Sequence, residues 1–161
     1  MTVELDIGCG FTTLLDEADF PLIVGYGWCC EHPRSHLPYA VARQKGRPVR
    51  IRMHRLLMGA RPDQEVDHID GNTLDNRRSN LRLASRAENG RNRRLNSNSA
   101  SGVRGVNRGH SGAWESRIKV DGHTIYLGTF STIEEAAGAR RGAEIFYFGE
   151  FAPKAREEMG R

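Results

Sequence analysis

The segment between residues 65 and 91 constrains the fold most, because it places a polar loop between two short runs of strand character. Residues 65–72 predict a strand that ends in an Asp-Gly-Asn turn. Residues 80–84 alternate as a second strand would. Ser85, with Glu88 three residues later, has the pattern of a helix N-cap. The sequence therefore predicts strand, loop, strand and helix in this order.

Asp67 and His68 are the first candidates for chemistry in this segment. Hydrolysis of a phosphodiester needs a base that activates water and a divalent cation that takes up charge. His68 suits the base, and Asp67 offers the oxygen ligand that a hard cation such as Mg²⁺ prefers. An isolated Asp-His pair is more often a surface hydrogen bond, so the hypothesis depends on the residues that follow.

Polar residues follow Asp67 and His68 at defined distances and form a motif with them. This motif comprises the run at 66–72, Asn76, the Asn-Leu-Arg run at 80–82, and Glu88 with Asn89. It resembles the ββα-metal core of HNH endonucleases, in the homing and phage-type branch that lacks zinc-binding cysteines. The resemblance implies that His68 is the general base, that Asp67 and Asn89 bind one divalent cation, Mg²⁺ or Mn²⁺, and that Asn80 braces the catalytic loop. Asn80 follows His68 by twelve positions, and Asn89 follows Asn80 by nine, which suits the motif.

Several polar residues of this motif also have a structural interpretation. Asp70, Asn72, Asn76 and Asn80 can all be simple turn residues, because Asp and Asn side chains hydrogen-bond their own backbone. For Asn72 and Asn76 we favour that interpretation. His54 is flanked by apolar residues and is interpreted as a packed structural histidine rather than part of the site.

The segment after residue 101 has a different character. Short β-type runs broken by glycines extend to residue 130, and helical spacing follows, with Thr132 as the cap of an acidic first turn. The segment resembles the DNA-binding domain of the plant APETALA and ethylene-response-factor type. The residues that carry this resemblance are Arg104-Gly105-Val106, Gly112, Trp114, Arg117-Ile118, Tyr126-Leu127-Gly128-Thr129-Phe130 and Glu134-Glu135-Ala136-Ala137. That resemblance implies a three-stranded antiparallel sheet packed on one helix and laid in the major groove of double-stranded DNA. The matching sheet-face positions are Arg104, Arg117, Lys119 and Tyr126; for the three cationic residues, contact with phosphates alone is equally open.

A polar and basic stretch connects the two patterns and contains Arg91, Arg93 and Arg94. Charge runs are usually solvated, but a run between a nuclease helix and a DNA-binding module favours contact with the DNA backbone, in particular for Arg93 and Arg94. The predicted organisation is a β-rich region at 1–53, an HNH core at 54–95, a linker at 96–101 and the DNA-binding domain at 102–153. The predicted fold class is α+β.

The N-terminal region shows no chemistry of its own. It has β-prone runs at 20–28, 39–42 and 47–51, with a hairpin turn around residues 45 and 46, and a possible helical turn at 14–19. Residues 53–58 predict a short helix that stops at Gly59. The three cysteines, Cys9, Cys29 and Cys30, fit neither a disulfide framework nor a zinc ribbon.

The composition of the chain indicates which class of binding partner and which cellular location to expect. A net charge of +4 and a pI near 9.2 favour a polyanion such as nucleic acid. The mean hydropathy of −0.58, the lack of a long apolar run and a start without a leader pattern argue against membrane insertion and secretion, so we expect a cytoplasmic protein of a bacterium or phage-infected cell.

Two classes of function remain. The first is a metal-dependent HNH endonuclease on double-stranded DNA, which as a monomer would nick and as a homodimer could cut both strands. The second is a non-catalytic DNA-binding regulator that keeps a relic HNH fold; RNA as the substrate is a weaker third option.

Overall fold

The chain begins with an antiparallel hairpin in the computed structural model, which describes residues 1–31, 37–43, 50–91 and 101–153. Strands β1 (Thr2–Asp6) and β2 (Thr12–Asp16) form this hairpin. Side chains alternate along β2, so that Thr13 and Leu15 are buried and Thr12 is exposed. A 3-10 turn at Glu17–Asp19 then leads into helix α1 (Phe20–Ile23).

Helix α1 differs from the prediction of β structure over residues 20–28. Pro21 lies in the first turn of this helix, where a proline is well tolerated. Strand structure starts only at β3 (Trp28–Glu31), which pairs with β4 (Tyr39–Arg43). Strand β4 in turn pairs with β5 (Arg50–Arg52), as the predicted hairpin requires, although its turn lies outside the described residues.

Residues 53–91 form the elements that the sequence predicts for them. Helix α2 (Met53–Leu57) ends before Gly59, whose φ of +58° suits a glycine. Strands β6 (Glu65–His68) and β7 (Leu81–Ala84) pair antiparallel and are followed by helix α3 (Arg86–Arg91).

One hydrophobic core joins the N-terminal elements to this segment. Its buried members are Ile7, Leu15, Ile23, Ala40, Met53, Leu57, Val66 and Leu81. Residues 1–92 accordingly form a single compact unit, in which the β-rich N-terminal region packs on the strands and helices that carry the candidate site.

A second compact unit spans residues 93–153. Its strands β8 (Val106–Arg108), β9 (Trp114–Val120) and β10 (His123–Phe130) form an antiparallel sheet in the order β10-β9-β8. Helix α4 (Ile133–Phe148) packs on this sheet and starts with the predicted cap, in which Thr132 and Glu135 bond each other's backbone N–H. The predicted α+β class, with a C-terminal three-stranded sheet on one helix, is confirmed. In the described part of the chain, no helix is long and apolar enough to cross a membrane.

Candidate active site

Asp67 and His68 lie side by side at the end of β6, and each is only 5% exposed. Antiparallel pairing places Asp67 opposite Arg82 and His68 opposite Leu81 on β7. Helix α3 closes the motif, since it contacts both strands. Its first turn is fixed by a reciprocal pair of bonds, in which the backbone N–H of Ser85 donates to the Glu88 carboxylate and the backbone N–H of Glu88 donates to the Ser85 hydroxyl.

The carboxylate of Asp67 is held by Arg82. The Nε and Nη2 groups of Arg82 donate to its Oδ2 atom over 3.0 and 2.6 Å. Both side chains are largely buried, so this charge-assisted pair is protected from solvent. The cross-strand register therefore fixes the orientation of the predicted metal ligand.

The imidazole of His68 is held in a buried, largely neutral state. Its Nε2 atom lies 3.2 Å from Oδ1 of Asn76. Burial lowers the pKa of His68, and the hydrogen bond with Asn76 and the negative charges of Asp70 and Asp67 oppose that shift only in part. A neutral imidazole at physiological pH is the form that can accept a proton from water.

His54 packs directly against the candidate base. The two imidazole rings are 5.0 Å apart in an edge-to-face arrangement, and the ring of Tyr39 lies 5.6 Å from that of His54. Burial lowers the pKa of His54 to about 2, and the neighbouring imidazole of His68 and the guanidinium groups of Arg52 and Arg55 add to the shift. His54 is thus a packed histidine beside the site, and its burial favours the neutral imidazole.

Asn80 braces the loop between β6 and β7. Its amide nitrogen donates to the Asp70 carboxylate and to the Asp75 carbonyl oxygen, both over 2.9 Å. Its Oδ1 atom accepts from the backbone N–H of Asp70 over 3.1 Å. These bonds hold both ends of the loop, so Asn80 acts on the shape of the site.

The two asparagines interpreted as turn residues differ in the structure. Asn72 is a turn residue, because its Oδ1 atom accepts from the backbone N–H of Leu74. Asn76 is fully buried and contacts His68, so the turn interpretation was wrong for this residue. No local pattern identifies Asn76, since its other side-chain partner, Thr13, is 63 residues away.

A divalent cation fits the donor chemistry of this motif. Asp67 offers a carboxylate on β6, and Asn89 offers an amide oxygen on α3, which contacts β6. Within the described ranges, no three His, Cys, Asp or Glu side chains are grouped to hold a metal. A hard cation that keeps several waters, as Mg²⁺ does, suits such a sparse set of oxygen ligands, whereas zinc prefers nitrogen and sulfur.

The predicted DNA contacts of the second unit divide into three groups. Arg117 and Lys119 are exposed on the face of β9 opposite the buried Ser116 and Ile118, and Tyr126 lies directly across from Arg117 on β10. Arg104 is half-buried in the turn before β8. Arg93 and Arg94 lie outside the described residues.

Two comparisons with known proteins identify the family of the chain. Residues 53–91 match the HNH endonuclease family. An uncharacterized HNH endonuclease of Acanthamoeba polyphaga mimivirus is 31% identical over 139 residues, which cover 83% of this chain and 68% of that protein. With its buried Asp-His pair on the first strand of a β-β-α unit, the chain belongs to the HNH endonuclease family.

Proposed function

We propose that this protein is a divalent-metal-dependent endonuclease that hydrolyses phosphodiester bonds of double-stranded DNA. Its second unit binds the DNA and directs the enzyme to the cleavage site. The observation that carries the proposal is the buried pair at the end of β6, in which Arg82 holds Asp67 and Asn76 holds His68. Two polar groups buried at a strand end and each fixed by a dedicated partner are preorganised for chemistry.

The proposed reaction is an attack by water on the phosphorus. His68 takes a proton from the water as one O–H bond breaks, and the water oxygen bonds to phosphorus. The bond from phosphorus to the leaving sugar oxygen then breaks, and that oxygen takes a proton from solvent. Asp67 and Asn89 would hold the cation, Mg²⁺ or Mn²⁺, which when bound neutralises charge on the phosphate and on the leaving oxygen. Asn80 keeps the loop in shape.

The second unit is proposed to bind duplex DNA through the open face of its sheet, as in the APETALA and ethylene-response-factor type that it resembles. Arg117, Lys119 and Tyr126 project from this face, while α4 covers the other. Glu115 lies on the same face and pairs with Arg117 over 2.5 Å, so the two charges fix each other's position. Arg104, Arg93 and Arg94 are proposed to add contacts from the chain that precedes the sheet.

A plasmid assay tests the nuclease. Purified protein is incubated with supercoiled plasmid in Mg²⁺, in Mn²⁺ and in EDTA. Open-circle or linear product that needs the metal is expected from the wild type and from Asp63→Asn, an exposed control, and is lost in Asp67→Asn. Open circle indicates that one strand is cut, as expected of a monomer, and linear product indicates that both strands are cut. Intact plasmid in every metal, with DNA still bound, would favour the regulator instead.

The binding face is tested separately by the salt dependence of DNA affinity. Arg117→Ala and Lys119→Ala are each expected to lower the affinity and to reduce the slope of log affinity against log salt by about 1 if they contact phosphates. Arg141→Ala, an exposed cation on α4, serves as the control. An equal loss in all three variants would argue against a specific sheet face.

A further inference from the structure

We infer that Thr13, a residue of the N-terminal hairpin outside the matched HNH segment, is a positioning residue of the nuclease site that acts through Asn76 on His68. The inference rests on the proposed role of His68 as the general base. It assigns a purpose to the N-terminal hairpin, for which the sequence indicated none.

Strand β2 is attached to the loop that carries Asn76. The backbone N–H of Leu14 donates to the carbonyl oxygen of Leu74 over 2.8 Å, and the backbone N–H of Asn76 donates to the carbonyl oxygen of Leu14 over 2.8 Å. Leu14 and Asp75 form an isolated parallel bridge. The hairpin thus extends the loop as an added strand, and this pairing brings Thr13 beside Asn76.

A second attachment fixes the end of β2. The backbone N–H of Arg78 donates to the Asp16 carboxylate over 2.8 Å. The guanidinium of Arg78 makes a two-pronged ion pair with the buried carboxylate of Asp19, at 2.8 to 3.0 Å. The bonds of Leu14 and the anchors at Asp16 and Asp19 hold the adjacent Thr13 in register with the catalytic loop.

The hydrogen bonds from Thr13 to His68 have a defined direction. The Thr13 hydroxyl lies 2.7 Å from the carbonyl oxygen of Leu74, which can only accept, so the hydroxyl must donate to it. The hydroxyl oxygen then accepts from Nδ2 of Asn76 over 2.7 Å. This orients the amide so that Oδ1 of Asn76 faces Nε2 of His68, and that nitrogen must therefore carry a proton.

This direction determines which nitrogen of His68 can act as a base. In a neutral imidazole only one nitrogen carries the proton, so a proton on Nε2 leaves the lone pair on Nδ1. If the amide of Asn76 were reversed, its NH₂ group would face Nε2 and would favour the other tautomer, in which Nδ1 is protonated. Thr13 prevents this reversal, because its hydroxyl hydrogen is already donated to Leu74 and cannot serve an amide oxygen.

The hydrogen-bonded relay of Thr13, Asn76 and His68 is buried, so each of its three residues is necessary. Thr13 and Asn76 are both fully buried, so solvent does not readily replace a bond lost between them. The relay and its anchors lie within the one compact unit of residues 1–92. Loss of the Thr13 hydroxyl is therefore expected to alter the tautomer of His68, although Thr13 does not itself contact the substrate.

The test uses the full chain and three variants. Thr13→Val removes the hydroxyl at nearly constant shape, Thr13→Ser retains it, and Thr12→Val changes an exposed threonine of the same strand as the control. The readouts are kcat and KM on plasmid DNA in Mg²⁺, thermal melting, and the tautomer of His68 from its two-bond proton–nitrogen NMR correlations.

We expect Thr13→Val to lower kcat roughly tenfold at an unchanged KM and to move the ring proton of His68 from Nε2 towards Nδ1. Thr13→Ser should recover most of the rate, and Thr12→Val should match the wild type. A normal kcat in Thr13→Val, or a reduced kcat without a tautomer change, would overturn the inference. If Thr13→Val does not fold, a wild-type His68 protonated on Nδ1 would overturn it as well.

The tautomer readout also separates this inference from the proposed function. A wild-type protein that cuts no DNA would refute the nuclease role. The ring proton of His68 on Nε2 in the wild type, and its movement in Thr13→Val, would still establish the relay.

Discussion

The buried His54 makes the stability of the first unit depend on pH, with a sign and size that follow from the structure. Its pKa of about 2 in the folded state, set first by burial and then by the neighbouring side chains of His68, Arg52 and Arg55, compares with about 6.5 in an unfolded chain. Below pH 6.5 the unfolded state therefore binds more protons than the folded state. The stability is fully present above about pH 6.5 and decreases as the pH falls.

The magnitude follows from this difference in pKa. Between about pH 7.5 and about pH 5, protonation of His54 in the unfolded chain removes about 2 kcal/mol from the free energy of unfolding. The pKa of His68 is also lowered, so its contribution has the same sign. The wild-type protein should therefore lose at least this amount of stability over that range.

The assay is urea denaturation at both pH values, without added metal, on the wild type, His54→Phe and His54→Gln. The quantity compared is the change in unfolding free energy between the two pH values, so a constant cost of repacking against Tyr39 cancels. Both variants should show a change smaller by about 2 kcal/mol than the wild type. His110→Gln, at an exposed position, is the matched control. An unchanged pH dependence in both His54 variants would refute the buried neutral state of this histidine.

Four further substitutions test the hydrogen bonds and the packing. Asn80→Ala removes the bonds that hold the loop and should destabilise the first unit by about 2 to 4 kcal/mol in urea denaturation. Gly105→Ala should destabilise the second unit by at least about 2 kcal/mol, because at a φ of +72° its Cβ would lie 2.2 Å from the Arg117 carbonyl oxygen, whereas Gly112→Ala, in open space at φ +83°, should cost about 1 kcal/mol. Thr132→Ala should cost about 1 kcal/mol through the lost cap of α4. Equal melting temperatures for the two glycine variants, or a Thr132 variant as stable as the wild type, would contradict these contacts.

The sequence predicts those features that depend on neighbours along the chain. Four such features follow from spacing over a few residues, and the structure has all of them: the caps at Ser85 and Thr132, the end of α2 before Gly59, and the strand that begins at Glu65. The strand predicted over residues 20–28 failed because tertiary packing of Ile23 in the core outweighs its β propensity.

The residues of the candidate site could be predicted from the sequence, but the hydrogen-bond partners that hold them could not. Asp67 and His68 are recognisable from their spacing to Asn80. However, Arg82 becomes the partner of Asp67 only through the register of β6 and β7, and the partner of His68 lies in the loop between these strands. The contact between Thr13 and Asn76 joins residues far apart in the chain, and single-sequence patterns carry no information at that separation.

The proposed role of His68 as the base of a DNA-cutting site is tested by the single-turnover cleavage rate of His68→Ala, measured together with its DNA affinity. A lost general base is expected to lower the rate by about 10² to 10⁴-fold. We expect this loss of rate with the affinity for duplex DNA retained. Cleavage by His68→Ala at the wild-type rate, in the same metal and at equal DNA binding, would contradict it.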